Sequence, residues 1–546
     1  MLSSWLSLLA AAAGLADARL ARSPTPPMGW NSYNTYSCSP TEQIIKSNAQ
    51  GLVNLGLAAL GYTQVTTDCG WLSRTRDAQG RLQWDRARFP SGGGKELGDF
   101  LHGLGLKFGL YSGAGYFQCG STDLPASLGY EEVDARTFAE WGGDSLKYDN
   151  CYSTSRNQMV DGDSAEAKSP ARFQKMAAVL DTVNRDIAYY VCQWGIGENV
   201  QTWASAIGNT WRISNDIYNA WRSIWRITNQ VISHAKHTRV GAFADMDMLI
   251  VGLRALSLEE ERFHFGMWAI NKSPLLIGCP VNTQQTPRES IDILSNREVI
   301  AINQDPLAKP ATLVLRYTQE EWDIWAGDLS GGRKVLGIAN WRNQSQTVQF
   351  DLRVIGVASA TARDVWAAAD IGTISGRQTV NLTGHQLKLF VLSDIQTTAL
   401  PASVGYYSAA NASLSGSANL VSCGDAECAP TQRKIGNLGA GASATFNSIR
   451  ATTAGRKLIG IDYIHYEYAF GTAWGWGTNT RNMTISVNGG AAKRWAFPLS
   501  GGDWFETGRM MIEVDGFQAG SSNQLIFRSQ QNGGWAPDLV GFEVFE

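Results

Sequence analysis

The chain has 546 residues, of which 44% are hydrophobic and 17% charged, and its formal net charge is −3. These values describe a globular protein of roughly three domains with a sizeable core. The near-neutral charge leaves no basic footprint for nucleic acid and no polybasic patch for a membrane surface, so we expect neither as a partner.

Residues 1–18 have the pattern of a secretory signal peptide. An apolar run from Leu6 to Leu15 precedes Ala16-Asp17-Ala18, a small-x-small cleavage pattern, although the first residues contain no Lys or Arg. The run is too short to span a bilayer, and no later apolar stretch is long enough either. We therefore expect a secreted, extracellular protein, in which disulfides are allowed.

Residues 22–310 alternate between short β-like runs and helical runs. The predicted strands are Met28–Asn31, Gln64–Asp68, Lys107–Ser112, Ser145–Tyr148, Ala188–Gln193, Trp211–Ser214, Val240–Ala244 and Pro274–Ile277. The predicted helices lie near Thr41–Leu55, Lys95–Leu104, Asp134–Glu140, Ala171–Arg185, Val200–Ala206, Ala220–His234, Leu258–Ile270 and Ile291–Ile302. Eight such units predict an α/β fold of the (β/α)8 TIM-barrel type. A doubly wound open sheet is the alternative, but Gly29-Trp30-Asn31-Ser32 is not the Gly-rich phosphate loop that it would need.

Polar side chains gather at the carboxyl ends of these strands, where a barrel places its active site. They are Asp68, Tyr111, Lys147, Asp149, Gln193, Arg212, Asp216, Asp245 and Asp247, with Trp30, Trp71 and Trp194 beside them. Carboxylates interleaved with Trp suit a neutral polyhydroxylated ligand. Metal binding is the competing use, but the chain has only 6 His and no close His/carboxylate pair at these ends. We therefore predict no metal and no cofactor in the barrel.

The stretch Leu146–Cys151 is the centre of this prediction. Asp149 ends the fourth strand, and Lys147 lies two residues earlier on the same face. A cation beside the carboxylate would keep Asp149 ionised, as a nucleophile must be. The alternative is an ordinary strand-end Asp that caps the next segment.

Two β-rich regions follow the barrel. Residues 311–395 alternate in strands separated by turn clusters and predict an antiparallel β-sandwich. A linker is predicted at 396–405. Residues 406–546 predict a second β-sandwich, with Trp474, Trp476, Trp495, Trp504 and Trp535 in or near its turns. Such aromatic loops are typical of sugar binding, and the alternative is that these Trp residues belong to the core and turns.

The cysteines and sequons fit a secreted protein. Cys423 and Cys428 are close enough to bridge a local loop, and no Cys-x-x-Cys spacing points to zinc. Sequons that predict N-glycosylation stand at Asn271, Asn343, Asn381, Asn411 and Asn482.

Eight motifs taken together resemble glycoside hydrolase family 27, the α-galactosidase family. They are Pro27-Met28-Gly29-Trp30-Asn31-Ser32, Thr67-Asp68-Cys69-Gly70-Trp71, Phe108-Gly109-Leu110-Tyr111, Leu146-Lys147-Tyr148-Asp149-Asn150-Cys151, Cys192-Gln193-Trp194, Trp211-Arg212-Ile213-Ser214-Asn215-Asp216, Asp245-Met246-Asp247-Met248-Leu249 and Ala301-Ile302-Asn303-Gln304-Asp305-Pro306-Leu307. The resemblance covers residues 25–395, and the tail resembles a family 35 carbohydrate-binding module.

The resemblance implies a retaining exo-glycosidase that releases terminal α-D-galactosyl residues from oligo- and polysaccharides. Asp149 would be the nucleophile and Asp216 the acid/base, with carboxylates about 5–5.5 Å apart. The implied sugar ligands are Trp30, Asp68, Tyr111, Lys147, Gln193 and Arg212. The implied barrel disulfides are Cys38–Cys69 and Cys119–Cys151, which leaves Cys192 and Cys279 free.

Three departures from the family pattern bear on the substrate and on calcium. Thr67 stands where the family usually has a first carboxylate before Asp68, and Gln193 stands where a Glu often contacts the sugar's 2-hydroxyl. Fewer ligands near C6 favour β-L-arabinopyranosidase on arabinogalactan-type side chains as the runner-up. α-N-Acetylgalactosaminidase is disfavoured, because members with that activity have small residues at Gln193 and Ile196. Ser408-Ala409-Ala410 replaces the binding module's usual Glu-Ala-Glu, which puts its structural calcium in doubt.

A third class, a non-catalytic sugar-binding protein that kept the barrel, is also conceivable from the fold alone. The presence of both Asp149 and Asp216 argues against it, since a decayed enzyme usually loses one of the two.

Overall fold

The computed structural model describes residues 19–153, 169–195, 199–319, 321–467, 478–530 and 534–546. The predicted signal peptide lies outside these residues. The described chain forms two compact units. One runs to Ile227 and resumes from Lys236 to Pro310, and the other consists of Thr228–Ala235 and Ala311–Glu546.

The first unit is built on eight parallel strands. They are β1 Met28–Asn31, β2 Gln64–Thr66, β3 Lys107–Gly113, β4 Ser145–Asp149, β5 Ala188–Cys192, β6 Thr210–Arg212, β7 Phe243–Asp245 and β8 Leu275–Ile277. Their order in the sheet is β7-β6-β5-β4-β3-β2-β1-β8. A parallel bridge between Leu249, four residues after β7, and Ile277 in β8 brings the two ends of this order together. The (β/α)8 prediction is confirmed, and the open-sheet alternative is excluded.

Helices follow the strands around the barrel. They are α1 Tyr33–Tyr36, α2 Glu42–Asn54, α3 Gly94–Gly103, α4 Glu131–Glu140, α5 Ser169–Leu180, α6 Val200–Ile207, α7 Trp221–Val231, α8 Leu258–Ile270, α9 Arg288–Leu294 and α10 Arg297–Asn303. The hydroxyls of Thr41 and Ser257 cap α2 and α8. The predicted helix Ile291–Ile302 is two helices, because Asn296 caps α10 by accepting the N–H groups of Glu298 and Val299.

The second unit begins with an antiparallel sandwich. Its strands are β9 Thr312–Tyr317, β10 Trp322–Leu329, β11 Arg333–Asn340, β12 Gln346–Asp351, β13 Val357–Asp364, β14 Ala369–Ser375, β15 Arg377–Leu382 and β16 Leu387–Thr397. A six-stranded sheet, β14-β13-β16-β11-β10-β9, and the pair β12-β15 enclose a core that includes Leu315, Ile324 and Phe350. The predicted sandwich is confirmed. Its last strand runs into the predicted linker and ends at Thr397.

A second sandwich occupies the C-terminal part of the unit. Its strands are β17 Ser403–Ser408, β18 Ser413–Ser415, β19 Asn419–Ser422, β20 Arg433–Gly436, β21 Ser443–Ala451, β22 Gly455–Ile464, β23 Arg481–Val487, β24 Lys493–Phe497, β25 Gly508–Phe517, β26 Gly520–Ser529 and β27 Asp538–Phe545. One sheet has the order β19-β20-β27-β22-β25, with β17 also on β27, and the other has β18-β21-β26-β23-β24. This predicted fold is also confirmed.

Each of the two sandwiches contributes side chains that pack against the core of the other. Leu313 of β9 packs against the core of the C-terminal sandwich, and Met511 of β25 packs against the core of the first. The backbone N–H of Ala496 donates to the Thr318 hydroxyl over 2.9 Å in a buried position. The two sandwiches therefore form one compact body and are not independent domains.

Candidate active site

Asp149 is the last residue of β4, and only 7% of its surface is exposed. Both carboxylate oxygens accept hydrogen bonds. The Tyr111 hydroxyl donates to Oδ2 over 3.0 Å, and the indole N–H of Trp194 donates to Oδ1 over 2.9 Å. The backbone N–H of Asn150 also donates to Oδ1, over 3.0 Å. Because an ionised carboxylate only accepts hydrogen bonds, three donors fix its orientation and favour its charged form.

Burial nevertheless raises the pKa of Asp149 above the ordinary aspartate value, and the charges of Asp216 and Asp68 raise it further. The charge of Lys147 lowers this pKa but does not outweigh burial. The charge of Lys147 thus acts in the predicted direction, towards the ionised form of Asp149, while burial has the largest effect on this pKa. The three hydrogen-bond donors and Lys147 oppose the rise in the pKa of Asp149, on which desolvation has the largest effect.

Lys147 forms its ion pair with Asp68, not with Asp149. Its Nζ lies 2.7 Å from Asp68 Oδ2 at the end of β2. The side chain reaches that strand by crossing β3, where Tyr111 stands in register with Lys147 and its ring centroid lies 5.5 Å from Nζ. Asn31 donates to the same Asp68 oxygen over 2.8 Å. The predicted sugar ligands Asp68, Tyr111 and Lys147 are thus brought together beside Asp149.

Asp216 lies four residues beyond the end of β6 and is the most open of these carboxylates, with 36% of its side chain exposed. Arg212 Nη2 donates to Asp216 Oδ1 over 2.9 Å and also lies 3.1 Å from Asp247 Oδ2. Asp247 accepts the N–H of Ile217, the residue after Asp216, over 2.7 Å. Asp247 therefore holds both the arginine and the backbone that position Asp216.

The two aspartates occupy contrasting environments. Asp149 is buried and accepts three hydrogen bonds, whereas the Asp216 carboxylate is partly open to solvent and accepts a hydrogen bond from the buried guanidinium of Arg212. Glycoside hydrolysis needs two carboxylates with separate tasks, one as nucleophile and one as proton donor and acceptor. The arrangement provides such a pair.

Gln193 follows directly after the end of β5. Its Nε2 lies 3.4 Å from the Ser169 hydroxyl at the start of α5, and none of its surface is exposed. Within β5, Cys192 stands in register with Asp149, and its sulfur lies 3.7 Å from Arg212 Nη1. The contact of Gln193 with the sugar stays a prediction.

Trp30, an implied sugar ligand, is enclosed in the barrel unit, whereas the nearby Tyr33 is partly exposed beside Lys147. Trp30 has no exposed surface, and its indole N–H donates to the Cys279 carbonyl over 2.9 Å. Tyr33 is half-buried, and Lys147 Nζ lies 5.6 Å from its ring centroid. Burial, followed by the charges of Asp216 and Asp68, raises the pKa of Tyr33 to about 12. The sequence analysis did not single out Tyr33, although its place two residues beyond the end of β1 was a signal.

The three predicted disulfides, Cys38–Cys69, Cys119–Cys151 and Cys423–Cys428, are present, and Cys192 and Cys279 are free and buried. Cys119–Cys151 ties the segment after Asp149 to the loop after β3. In that loop the Cys119 N–H donates to the Tyr111 hydroxyl over 3.2 Å. The same bridge therefore restrains Asp149 and one of its donors.

One predicted glycosylation site is contradicted. Asn271 is 1% exposed, and its Nδ2 donates to the Met267 carbonyl over 2.9 Å inside the barrel unit. A glycan cannot be carried at a side chain so enclosed. Asn343, Asn381 and Asn411 are exposed, and Asn482 is partly exposed.

Among the described residues, no group of three or more His, Cys, Asp or Glu is arranged to hold a metal ion. In the described part of the chain, no helix has the length and apolarity needed to cross a membrane. At the position where calcium was in doubt, the Ser408 hydroxyl accepts the N–H of Ala410 over 3.3 Å.

A (β/α)8 barrel with this carboxylate pair defines a glycoside hydrolase. The alpha galactosidase A family matches residues 25–305, and its C-terminal β-sandwich domain matches residues 319–392. A probable α-galactosidase D of Aspergillus fumigatus is 38% identical over 97% of this chain and 96% of its own length. The chain therefore belongs to the α-galactosidase family, glycoside hydrolase family 27.

Solved structures agree with this assignment. α-Galactosidase I from Mortierella vinacea superposes with a TM-score of 0.64 at 32% identity, over 69% of this chain and 99% of that one. An α-galactosidase of Saccharomyces cerevisiae superposes with a TM-score of 0.63 at 29% identity, over 68% and 98% of the two chains.

Proposed function

We propose that this protein is a retaining α-galactosidase that removes terminal α-D-galactosyl residues from oligo- and polysaccharides. Asp149 attacks the anomeric carbon and forms a glycosyl-enzyme, while Asp216 donates a proton to the departing oxygen. Asp216 then takes a proton from water, and the hydroxide formed displaces Asp149. The observation that carries the proposal is the contrast between the buried Asp149, which accepts three hydrogen bonds, and the more open Asp216 beside Arg212.

The surrounding residues support these roles. Tyr111 and Trp194 orient Asp149, so the attacking oxygen needs no rearrangement before reaction. Lys147 and Asp68 offer a cation and a carboxylate to the hydroxyl groups of the sugar. Asp216 is accessible enough to exchange its proton with water between the two steps.

Hydrolysis of p-nitrophenyl α-D-galactopyranoside tests the roles, with the variants Asp149→Ala and Asp216→Ala beside an exposed control, Asp99→Ala. Each active-site variant should lose about 10³-fold or more in kcat, and the control should not. Proton NMR of the first product should show the α-anomer, as retention requires. Full activity in either variant, or a β-anomer, would overturn the mechanism.

A second candidate substrate is a β-L-arabinopyranoside. Thr67 stands where a carboxylate is usual, and Asp68 is already held by Lys147 and Asn31. A sugar without the exocyclic CH2OH would lose less at such a site. p-Nitrophenyl β-L-arabinopyranoside assayed in parallel decides the ranking through the two values of kcat/KM.

We also propose that the protein is secreted. Three disulfides form in the described chain, which suits an oxidising compartment. Expression with and without residues 1–18 tests it. The full chain should reach the medium with residues 1–18 removed and with glycans at accessible sequons such as Asn343 and Asn411. Retention of the full chain in the cell would contradict it.

A further inference from the structure

Residues 216–219, which we call the Asp216 segment, carry the proposed acid/base and are held by other parts of the barrel unit. Arg226 Nη2, from α7, donates to the Asp216 carbonyl over 3.1 Å. Asp247, two residues beyond β7, accepts the Ile217 N–H over 2.7 Å. The backbone that carries Asp216 is therefore fixed by partners from two different elements.

Tyr218 is the third residue of the Asp216 segment, and its backbone is held as well. Its N–H donates to the Ser223 hydroxyl over 3.0 Å, and its carbonyl accepts the Ala220 N–H over 2.7 Å. The next residue, Asn219, donates from Nδ2 to the Leu253 carbonyl over 2.9 Å. These bonds set the direction in which the Tyr218 side chain leaves the backbone. A group that is oriented in advance loses less conformational freedom when a ligand binds.

The side chains of this segment alternate between solvent and core. Asp216 has 36% of its side chain exposed, Ile217 is 6% exposed, and Tyr218 is 38% exposed. This alternation places Asp216 and Tyr218 on the same, open side of the segment, as in an extended chain. Two residues span at most about 7 Å of backbone, so the two side chains begin close together.

Arg226 gives a second link between the two side chains. Burial lowers the pKa of Arg226 to about 10, and the charges of Asp247, Tyr218 and Asp216 oppose this fall. Charges have such effects on a pKa only from nearby. The Tyr218 hydroxyl and the Asp216 carboxylate therefore both lie near the Arg226 guanidinium.

The open side at Asp216 is where the leaving group of a galactoside belongs. The galactosyl ring would occupy the enclosed part of the site, beside Asp149 and the pair of Lys147 and Asp68. Asp216 must come within hydrogen-bonding distance of the glycosidic oxygen in order to protonate it, so the leaving group lies at Asp216. Tyr33 is also partly exposed, but it lies beside Lys147 and hence on the galactosyl side.

We propose that Tyr218 is a specificity-determining residue whose ring packs against a sugar in the leaving-group position. A pyranose has an apolar C–H face that suits an aromatic ring, and hydroxyls around its rim that stay in water. The favoured substrates are therefore galactosides in which the leaving group is itself a sugar. This inference rests on the proposed function, because it takes Asp216 as the proton donor.

A ratio of two kcat/KM values tests the proposal: that for melibiose, which releases glucose, divided by that for α-D-galactosyl fluoride, which releases only fluoride. Tyr218→Ala should lower this ratio about tenfold, and Tyr218→Phe, which keeps the ring, should hold it within about twofold of wild type. The matched control is Tyr130→Ala, because Tyr130 is another tyrosine of the barrel unit and is 46% exposed. It should leave the ratio unchanged. A partial loss of folded protein lowers both values alike and cancels in the ratio.

An unchanged ratio in Tyr218→Ala would overturn the inference, as would an equal fall in Tyr130→Ala. A fall in Tyr218→Phe as large as that in Tyr218→Ala would also overturn it, because the ring would then not be the group in contact with the sugar. Failure of the wild-type protein to hydrolyse either galactoside would refute the proposed function. Hydrolysis of both by the wild type, with an unchanged ratio in Tyr218→Ala, would refute the role of Tyr218 alone.

Discussion

The indole N–H of Trp194 donates to Oδ1 of Asp149 over 2.9 Å, and the backbone of Trp194 holds a φ of +74°. A positive φ is unfavourable for a bulky side chain and costs about 1–3 kcal/mol. Trp194 follows directly after Cys192 and Gln193 at the end of β5, where the chain leaves the barrel. The strained backbone and the N–H directed at Asp149 occur in the same residue, so Trp194 is a positioning residue for Asp149, the nucleophile in the proposed mechanism.

Trp194→Phe should keep the ring and remove the donor. Because the lost hydrogen bond favours the ionised carboxylate, the pKa of Asp149 should rise further, and the acid limb of the kcat/KM profile should move to higher pH. We expect kcat/KM at its optimum to fall about 10- to 100-fold, with most of the loss in kcat. A pH–rate profile from pH 3 to 8 measures both effects.

The matched control is Trp341→Phe. Trp341 also donates its indole N–H to a buried carboxylate, Oδ2 of Asp323, over 2.8 Å, but in the first sandwich. This variant should leave the pH profile unchanged. If both variants shift the acid limb alike, the effect reflects general destabilisation and not the orientation of Asp149.

Lys147 and Asp68 form a buried pair, with 16% and 2% of their side chains exposed. Lys147→Met should leave Asp68 as an unpaired buried carboxylate and lower the free energy of unfolding by about 3–5 kcal/mol. The double variant Lys147→Met/Asp68→Asn should recover a large part of that loss, because no isolated charge remains. Urea denaturation at pH 7 measures the cycle. Additive losses in the double variant would show that the two charges are not coupled.

Asp245 supplies a pH-dependent contribution to stability. Burial raises its pKa from 3.8 to about 6, against the opposing charge of Arg212. Between these two pKa values the folded state binds more protons than the unfolded state, so the free energy of unfolding falls as pH rises. Asp245→Asn keeps the acceptor for the Asp247 N–H and should remove this loss. We expect a gain of about 3 kcal/mol at pH 7 and none at pH 3.5.

Thermal unfolding of both proteins across pH 3.5–7.5 checks this prediction. The curves should converge at the acid end, separate between about pH 4 and pH 6 and keep a constant difference above that. A constant difference over the whole range would mean that the ionisation of Asp245 is not linked to folding.

The order of strands and helices was readable because each short apolar run precedes a helical one, and the carboxyl ends of parallel strands must meet at one edge. That rule alone placed Asp149 and Asp68 correctly. It could not reveal that Lys147 crosses β3 to reach Asp68. Whether the Lys147 side chain can span that distance depends on the register of β2, β3 and β4. It also could not reveal the burial of Asn271, which depends on packing inside the barrel unit.

The places of Cys192, in register with Asp149, and of Gln193, beside Ser169, lead to a kinetic prediction. Gln193→Ala should change KM for the small galactoside by less than about twofold, since its amide lies beside Ser169. Cys192→Phe places a ring between Arg212 and Asp149 and should raise KM about tenfold or more by overpacking the site. Similar circular dichroism spectra for the two variants would show that the comparison concerns the site. A large rise in KM for Gln193→Ala alone would support the contact of Gln193 with the sugar.

The shared packing of the two sandwiches predicts that neither tolerates the loss of the other. A chain ending at Thr397 removes Leu458 and Met511, which pack against the core of the first sandwich, and it leaves Leu313 without the C-terminal core. Its first sandwich should unfold at a lower temperature than in the full chain.

Thr318→Val tests the packing of the two sandwiches at a single hydrogen bond, because it leaves the buried N–H of Ala496 without an acceptor. We expect a loss of about 1–3 kcal/mol, and Thr318→Ser, which keeps the hydroxyl, should lose much less. A loss in Thr318→Ser as large as that in Thr318→Val would contradict this prediction, because the serine keeps the hydroxyl that accepts the hydrogen bond.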